Sequence, residues 1–180
     1  MRNLNPKGFS LVELLVVVAI IGIFISITEP MYSRYSAKAK QSEIKSNLAV
    51  LYMAESAFNA EWATYNSRFS VIGYAPTGTL RYQHGFSVDF NSLPSSYAGP
   101  TGAATDISTV GWCAQGVGPF VNECLVSTKP IAPGAIVGAP VTKASYLAIA
   151  TADISAGEAP QDIWGIDQNG VITNFQTGLP

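Results

Sequence analysis

Apolar positions follow three regimes along the chain. From Phe9 to Ile27 they are almost continuous: 19 residues, FSLVELLVVVAIIGIFISI, carry one charge, Glu13. That is about the length a helix needs to cross the hydrocarbon core of a bilayer. Pro30 follows, which lacks an amide donor and clashes with the preceding turn, so a break or kink is expected there. Gly22 adds a second weak point, or a place for close helix–helix approach. Beyond Pro30 the apolar positions become periodic. Ile44, Leu48, Leu51, Phe58 and Trp62 fall on one stripe of a 3.6-residue repeat, and the intervening alanines favour helix. The pattern predicts one long helix from Phe9 to about Ala63.

After Thr64 the helical period disappears and Gly, Pro, Ser and Thr become frequent. Arg81 to Phe90 alternates, with Tyr82, His84, Phe86, Val88 and Phe90 on one face, and predicts a half-buried strand. Tyr146 to Ala152 predicts another. Ile163 to Asp167 and Val171 to Phe175 flank Gln168-Asn169-Gly170 and predict a hairpin with a type I′ turn. Ser92–Ser108 and Thr128–Thr142 read as surface loops. The expected fold is α+β: a long N-terminal helix, half transmembrane and half amphipathic, packed on a small antiparallel sheet.

Charge sharpens this division. The 180 residues carry a net charge of −2, which gives no basic signature for nucleic acid. Arg34, Lys38, Lys40 and Lys45 crowd one stretch against Glu43 alone, whereas Ser46 onward holds four basic and nine acidic residues, a net −5. A basic stem thus carries an acidic head, which suits a stem near anionic lipid. Arg2 and Lys7 precede the apolar run and no basic residue follows until Arg34, which places the N-terminus in the cytoplasm.

Three fates are open to the apolar run. A secretory signal needs a small-x-small site after it, and Ser26-Ile27-Thr28 is a poor one. A plain signal anchor leaves Glu13 unexplained, since a charge at the bilayer centre costs roughly 2.5–3.5 kcal/mol. Cleavage between Gly8 and Phe9 supplies a partner. The new α-amino group, with a pKa near ~8, sits one turn from Glu13 or opposite it in a neighbouring copy.

Lys7-Gly8-Phe9-Ser10-Leu11-Val12-Glu13-Leu14, with Gly22 and Pro30 at their places downstream, resembles the prepilin signature of type IV pilins and type II secretion pseudopilins. Lys40-Gln41-Ser42-Glu43 is similar to pilins of the Myxococcus type. The resemblance implies a leader of residues 1–8, cleavage by a prepilin peptidase, N-methylation of Phe9, a helix over 9–63 whose first part (9–28) forms the filament core, and a β-rich head over 64–180. It implies a homopolymer drawn from the inner membrane by a pilus assembly machinery and used in adhesion or twitching motility, or else a pseudopilin or minor pilin of a secretion or DNA-uptake system. Glu29 departs from the family pattern, which has an apolar residue before the proline.

Cys113 and Cys124 are an even pair in an extracytoplasmic chain, which argues for one disulfide, two free thiols being the alternative. The resemblance places such a loop on an exposed variable face. His84, the sole histidine, lies on the apolar face of its strand with no Ser or Cys constellation around it, so it is read as a structural residue. Asp162, Asp167 and Asn169 are a weak calcium candidate, matching no EF-hand loop. No phosphate loop is present, and the reading is of a structural protein with no cofactor and no catalytic residues.

Overall fold

A computed structural model describes residues 8–115, 124–126, 141–154 and 161–179, with only the backbone described at Glu29, Pro30, Ala114, Gln115, Leu125 and Val126. Helix α1 spans Leu11–Trp62, close to the predicted limits. It is not broken at Pro30: the helical span runs through it, because a 52-residue helix tolerates one missing donor. The helix ends where Ala63 takes a left-handed φ of 54° and donates its amide to the Asn59 carbonyl at 2.8 Å. That position favours glycine.

The chain divides into two compact units, Met1–Ser36 and Ala37–Pro180. In the second, the predicted stripe is the core of the fold. Ile44, Leu48 and Leu51 are fully buried and Phe58 nearly so, in one cluster with Tyr82, Phe86, Tyr146, Ala148, Ala150, Trp164 and Ile166. Each such aliphatic side chain contributes roughly 1.5–3 kcal/mol by leaving water. After α1 come a short helix α2 (Phe69–Ile72), strands β1 (Gly78–Leu80) and β2 (Gln83–Gly85), helix α3 (Thr109–Gln115), and strands β3 (Cys124–Val126), β4 (Leu147–Ala152), β5 (Asp162–Asp167) and β6 (Ile172–Gln176). Strands β2-β4-β5-β6 form an antiparallel sheet, with Ala150 opposite both His84 and Trp164. Strands β1 and β3 make a separate parallel pair, Gly78 opposite Cys124. The architecture is the expected α+β arrangement.

Two predicted details differ. The strand foreseen over Arg81–Phe90 shrinks to three residues and is buried on both faces rather than half-buried. Its outer edge is covered by the chain at residues 107–109. Phe86 donates to the Ile107 carbonyl at 2.8 Å, the His84 amide donates to Thr109 Oγ1, and Gly85 bridges Ser108. Gly85 has φ +152°, and a Cβ there would lie 2.3 Å from the Ile107 oxygen, so only glycine admits this approach. Past Phe86 the chain turns outward and Val88 is half-exposed.

The β5–β6 hairpin is present, but its turn is not type I′. Only Gly170 (φ 75°) takes positive φ, while type I′ needs it at both central residues. The Gly170 amide donates to the Asp167 carbonyl at 3.0 Å, closing a three-residue loop with a left-handed glycine at its end. The Asp167 carboxylate organises the loop by accepting the amides of Asn169 and Val171, each at 3.0 Å. Desolvation pushes the Asp167 carboxyl up, but the hydrogen bonds from Val171 and Asn169 together outweigh it and hold the group below its ordinary value.

Candidate functional site

The first turn of α1 carries the chemistry singled out in the sequence. Ser10 is its N-cap, and Ser10-Leu11-Val12-Glu13 has the spacing of a capping box: the Ser10 amide donates to Glu13 Oε2 at 3.5 Å. The carboxylate therefore folds back toward the helix start, where the positive end of the dipole favours it. Phe9 is exposed beside it, and Gly8 has open space around its Cα.

From Leu11 to Ile27 the large apolar side chains are all exposed, most by half or more, with Leu11 at 78%. No soluble monomer leaves such a continuous surface in water, so lipid or other helices must cover it. Its few hydroxyls are satisfied internally. Ser26 donates to the Ile23 carbonyl and Thr28 to the Phe24 carbonyl, both at 2.7 Å. A helix that closes its own hydrogen bonds is what hydrocarbon tolerates. Gly22 is exposed with nothing near its Cα, leaving a notch in this surface. The side chain of Glu29, which departs from the family pattern, lies outside the described residues.

Residues 3–28 match the family model for the prokaryotic N-terminal methylation motif. The type IV major pilin protein PilA of Myxococcus xanthus is 44% identical over 80 residues, 44% of this chain and 36% of the relative. The fimbrial protein EcpC of Eikenella corrodens is 32% identical over 111 residues, 62% of this chain and 68% of the relative. This chain belongs to the type IV pilin family. A fimbrial protein of Pseudomonas aeruginosa is 37% identical over 81 residues, 45% of the chain and 49% of the relative. The pilin chain thus spans about a third to a half of the length of two of these relatives.

Cys113 and Cys124 are bonded to one another, as expected. The bond joins the end of α3 to β3, whereas most of the loop between lies outside the described residues, as does most of Thr128–Thr142.

The head of the pilin is organised by a buried carboxylate that sequence reasoning assigned otherwise. Asp162 is fully buried at the start of β5. Its Oδ1 accepts from Gln41 Nε2 and the Gly178 amide, each at 3.0 Å, and from Asn174 Nδ2. Its Oδ2 accepts from the Tyr82 hydroxyl and from Trp164 Nε1. Those donors tie α1, the residue before β2, β5, β6 and the C-terminal segment to one atom pair. Asp162 and Asp167 are opposite ends of β5, about 17 Å apart at the strand rise. Asp162, Asp167 and Asn169 therefore form no common calcium site, and among the described residues no group of three His, Cys, Asp or Glu side chains comes together.

His84 is fully buried. Its Nε2 lies 2.6 Å from the Tyr74 hydroxyl and its Nδ1 3.3 Å from the Tyr82 carbonyl. The neutral ring satisfies both by donating from Nδ1 and accepting at Nε2. Burial lowers its pKa to about 4, and the Tyr82 carbonyl offsets this only in part. It is a structural residue, as read from the sequence.

Glu55 escaped notice. It continues the apolar stripe, four residues after Leu51 and three before Phe58, and is fully buried. Oε2 accepts weakly from the Asn66 amide at 3.4 Å, and Oε1 has no partner. Burial raises its pKa to about 8, with the Asn66 bond pulling slightly the other way. The signal was present in the sequence: an acid at a stripe position.

Proposed function

We propose that this pilin is a structural subunit of a type IV pilus, held in the inner membrane by Phe9–Ile27 with its N-terminus cytoplasmic, processed between Gly8 and Phe9, and polymerised through its N-terminal helix. The observation that carries this is the uncovered apolar stretch Phe9–Ile27 at the start of α1, whose only charge, Glu13, is folded back toward the site of the cut. Cleavage there creates a cationic amine at Phe9, directly preceding the amide that Glu13 already approaches. A second copy offers the same amine, and pairing with it removes the penalty of a carboxylate in hydrocarbon. Gly22 lets neighbouring helices approach closely where they pack. The roles that follow are mechanical, adhesion and twitching motility with force supplied by other proteins, and no catalysis is assigned to this chain.

Mass spectrometry of filaments sheared from cells tests the reading. The expected peptide begins at N-methylated Phe9. A chain still beginning at Met1, or cut after Thr28, would refute it. Glu13→Ala should abolish filaments while leaving the membrane-held subunit at its normal level, whereas an anchored monomer would tolerate that change.

A further inference from the structure

The head carries an open cleft of about 440 Å³ beside the last turns of α1, lined among others by Phe58, Glu61, Trp62, Ile72, Gly73 and Tyr97. Trp62 and Tyr97 meet edge to face at 5.2 Å and 76°, each partly exposed. Gly73 has φ +72° and open space where a side chain would stand, which keeps that wall low. Glu61 is exposed at the rim and, among the described residues, makes no ion pair or hydrogen bond and has no basic residue beside it in the cleft lining. Burial first, and then the Glu61 charge, raises the Tyr97 phenol pKa, which places that charge close to the rings. Aromatic faces beside an unpaired carboxylate select a cation. The same helix already uses this chemistry internally, with Lys45 Nζ 4.6 Å from the centre of the Trp164 ring.

The complementary charge is on the chain itself. Lys40 is engaged by the Ile154 carbonyl, Arg68 by Asp89 and Arg81 by Glu43. Arg34, Lys38 and Lys143 are exposed without an ion pair or hydrogen bond among the described residues, and of these Lys38 alone lies on α1 in the same compact unit as Glu61, where the helix fixes their axial separation. Lys38 and Glu61 are 23 residues apart on one helix, about 35 Å at 1.5 Å per residue, so they cannot meet within one chain. Two copies displaced along α1 by that distance bring them together. Such a head-to-stem contact is heterologous, repeats at every subunit and builds a filament rather than a closed dimer.

We infer that the Glu61–Trp62–Tyr97 cleft of one subunit receives the Lys38 ammonium of a second copy, fixing an axial offset of about 35 Å between touching subunits. This rests on the polymerising role proposed above. Carbodiimide treatment of unmodified filaments, which joins a carboxylate to an ammonium it touches, followed by peptide mass spectrometry, tests it directly. The expected product links the Lys38 and Glu61 peptides and is necessarily intermolecular. Absence of that product, while other carboxylate–lysine links form, overturns the inference. Charge reversal gives a second readout. Glu61→Lys or Lys38→Glu alone should lower filament yield at least roughly tenfold with the membrane-held subunit unchanged, and the double variant should recover it. Single variants that assemble like the parent, or a double variant no better than either single, overturn it too. Failure of the unaltered chain to form filaments would instead overturn the polymerising role itself.

Discussion

Replacing Glu55 by glutamine isolates one titrating group at the heart of the head. In the folded chain the carboxyl is neutral up to about pH 8, while an unfolded one ionises from its ordinary value of 4.5. The folded state therefore binds the extra proton between those values. Stability from this group is complete below pH 4.5 and is lost as pH rises toward 8. The full span amounts to about 4–5 kcal/mol, of which about 2 kcal/mol falls between pH 6 and pH 8. His84 works in the opposite sense. Its folded value of about 4 lies below the ordinary 6.5, so it adds about 1 kcal/mol as pH rises from 6 to 8. The titratable side chains that sense the Glu55 charge, Tyr65 and Tyr146, have their own pKa values raised, chiefly by burial, and stay neutral here. The parent chain should thus lose roughly 1 kcal/mol between pH 6 and pH 8, and Glu55→Gln should gain about as much. Urea unfolding of the full chain in mild detergent, followed by tryptophan fluorescence at several pH values, measures both slopes. A parent that becomes more stable toward pH 8, or a variant with the parent's slope, would refute the account of Glu55 as a buried neutral acid.

Asp162→Ala strands the Gln41, Tyr82 and Trp164 donors in the core and should cost about 3–5 kcal/mol, read as a lowered urea midpoint. Converting Cys113 and Cys124 together to serine should cost roughly 2.5–3 kcal/mol on the loop-entropy account, seen as a lower melting temperature that reducing agent no longer alters. Ala63→Gly should stabilise by about 0.5–1 kcal/mol, because the left-handed φ that ends α1 strains alanine and not glycine, and an unchanged or lowered melting temperature would contradict this.

Sequence alone settled what depends on local order and period. The apolar run and the residues around Gly8 are contiguous, so the methylation motif and the uncovered helix were legible before any fold was known. The stripe Ile44–Leu48–Leu51–Phe58 was legible too, because a helix converts spacing into a face, and the two cysteines had only each other to pair with. What the tertiary structure decided depends on which distant groups share an environment. Asp162 stood out only as part of a weak calcium candidate, and it is the acceptor on which five donors converge. Glu55 broke the stripe's chemistry without breaking its period, and its charge state follows from burial under residues far along the chain. The alternation over Arg81–Phe90 promised a longer strand with a wet face, but the strand ends at Gly85 and residues 107–109 close its outer edge, a contact that local periodicity does not encode. Trp62 and Tyr97 lie 35 residues apart, so the cleft beside Glu61 exists only once the chain has folded around the end of α1.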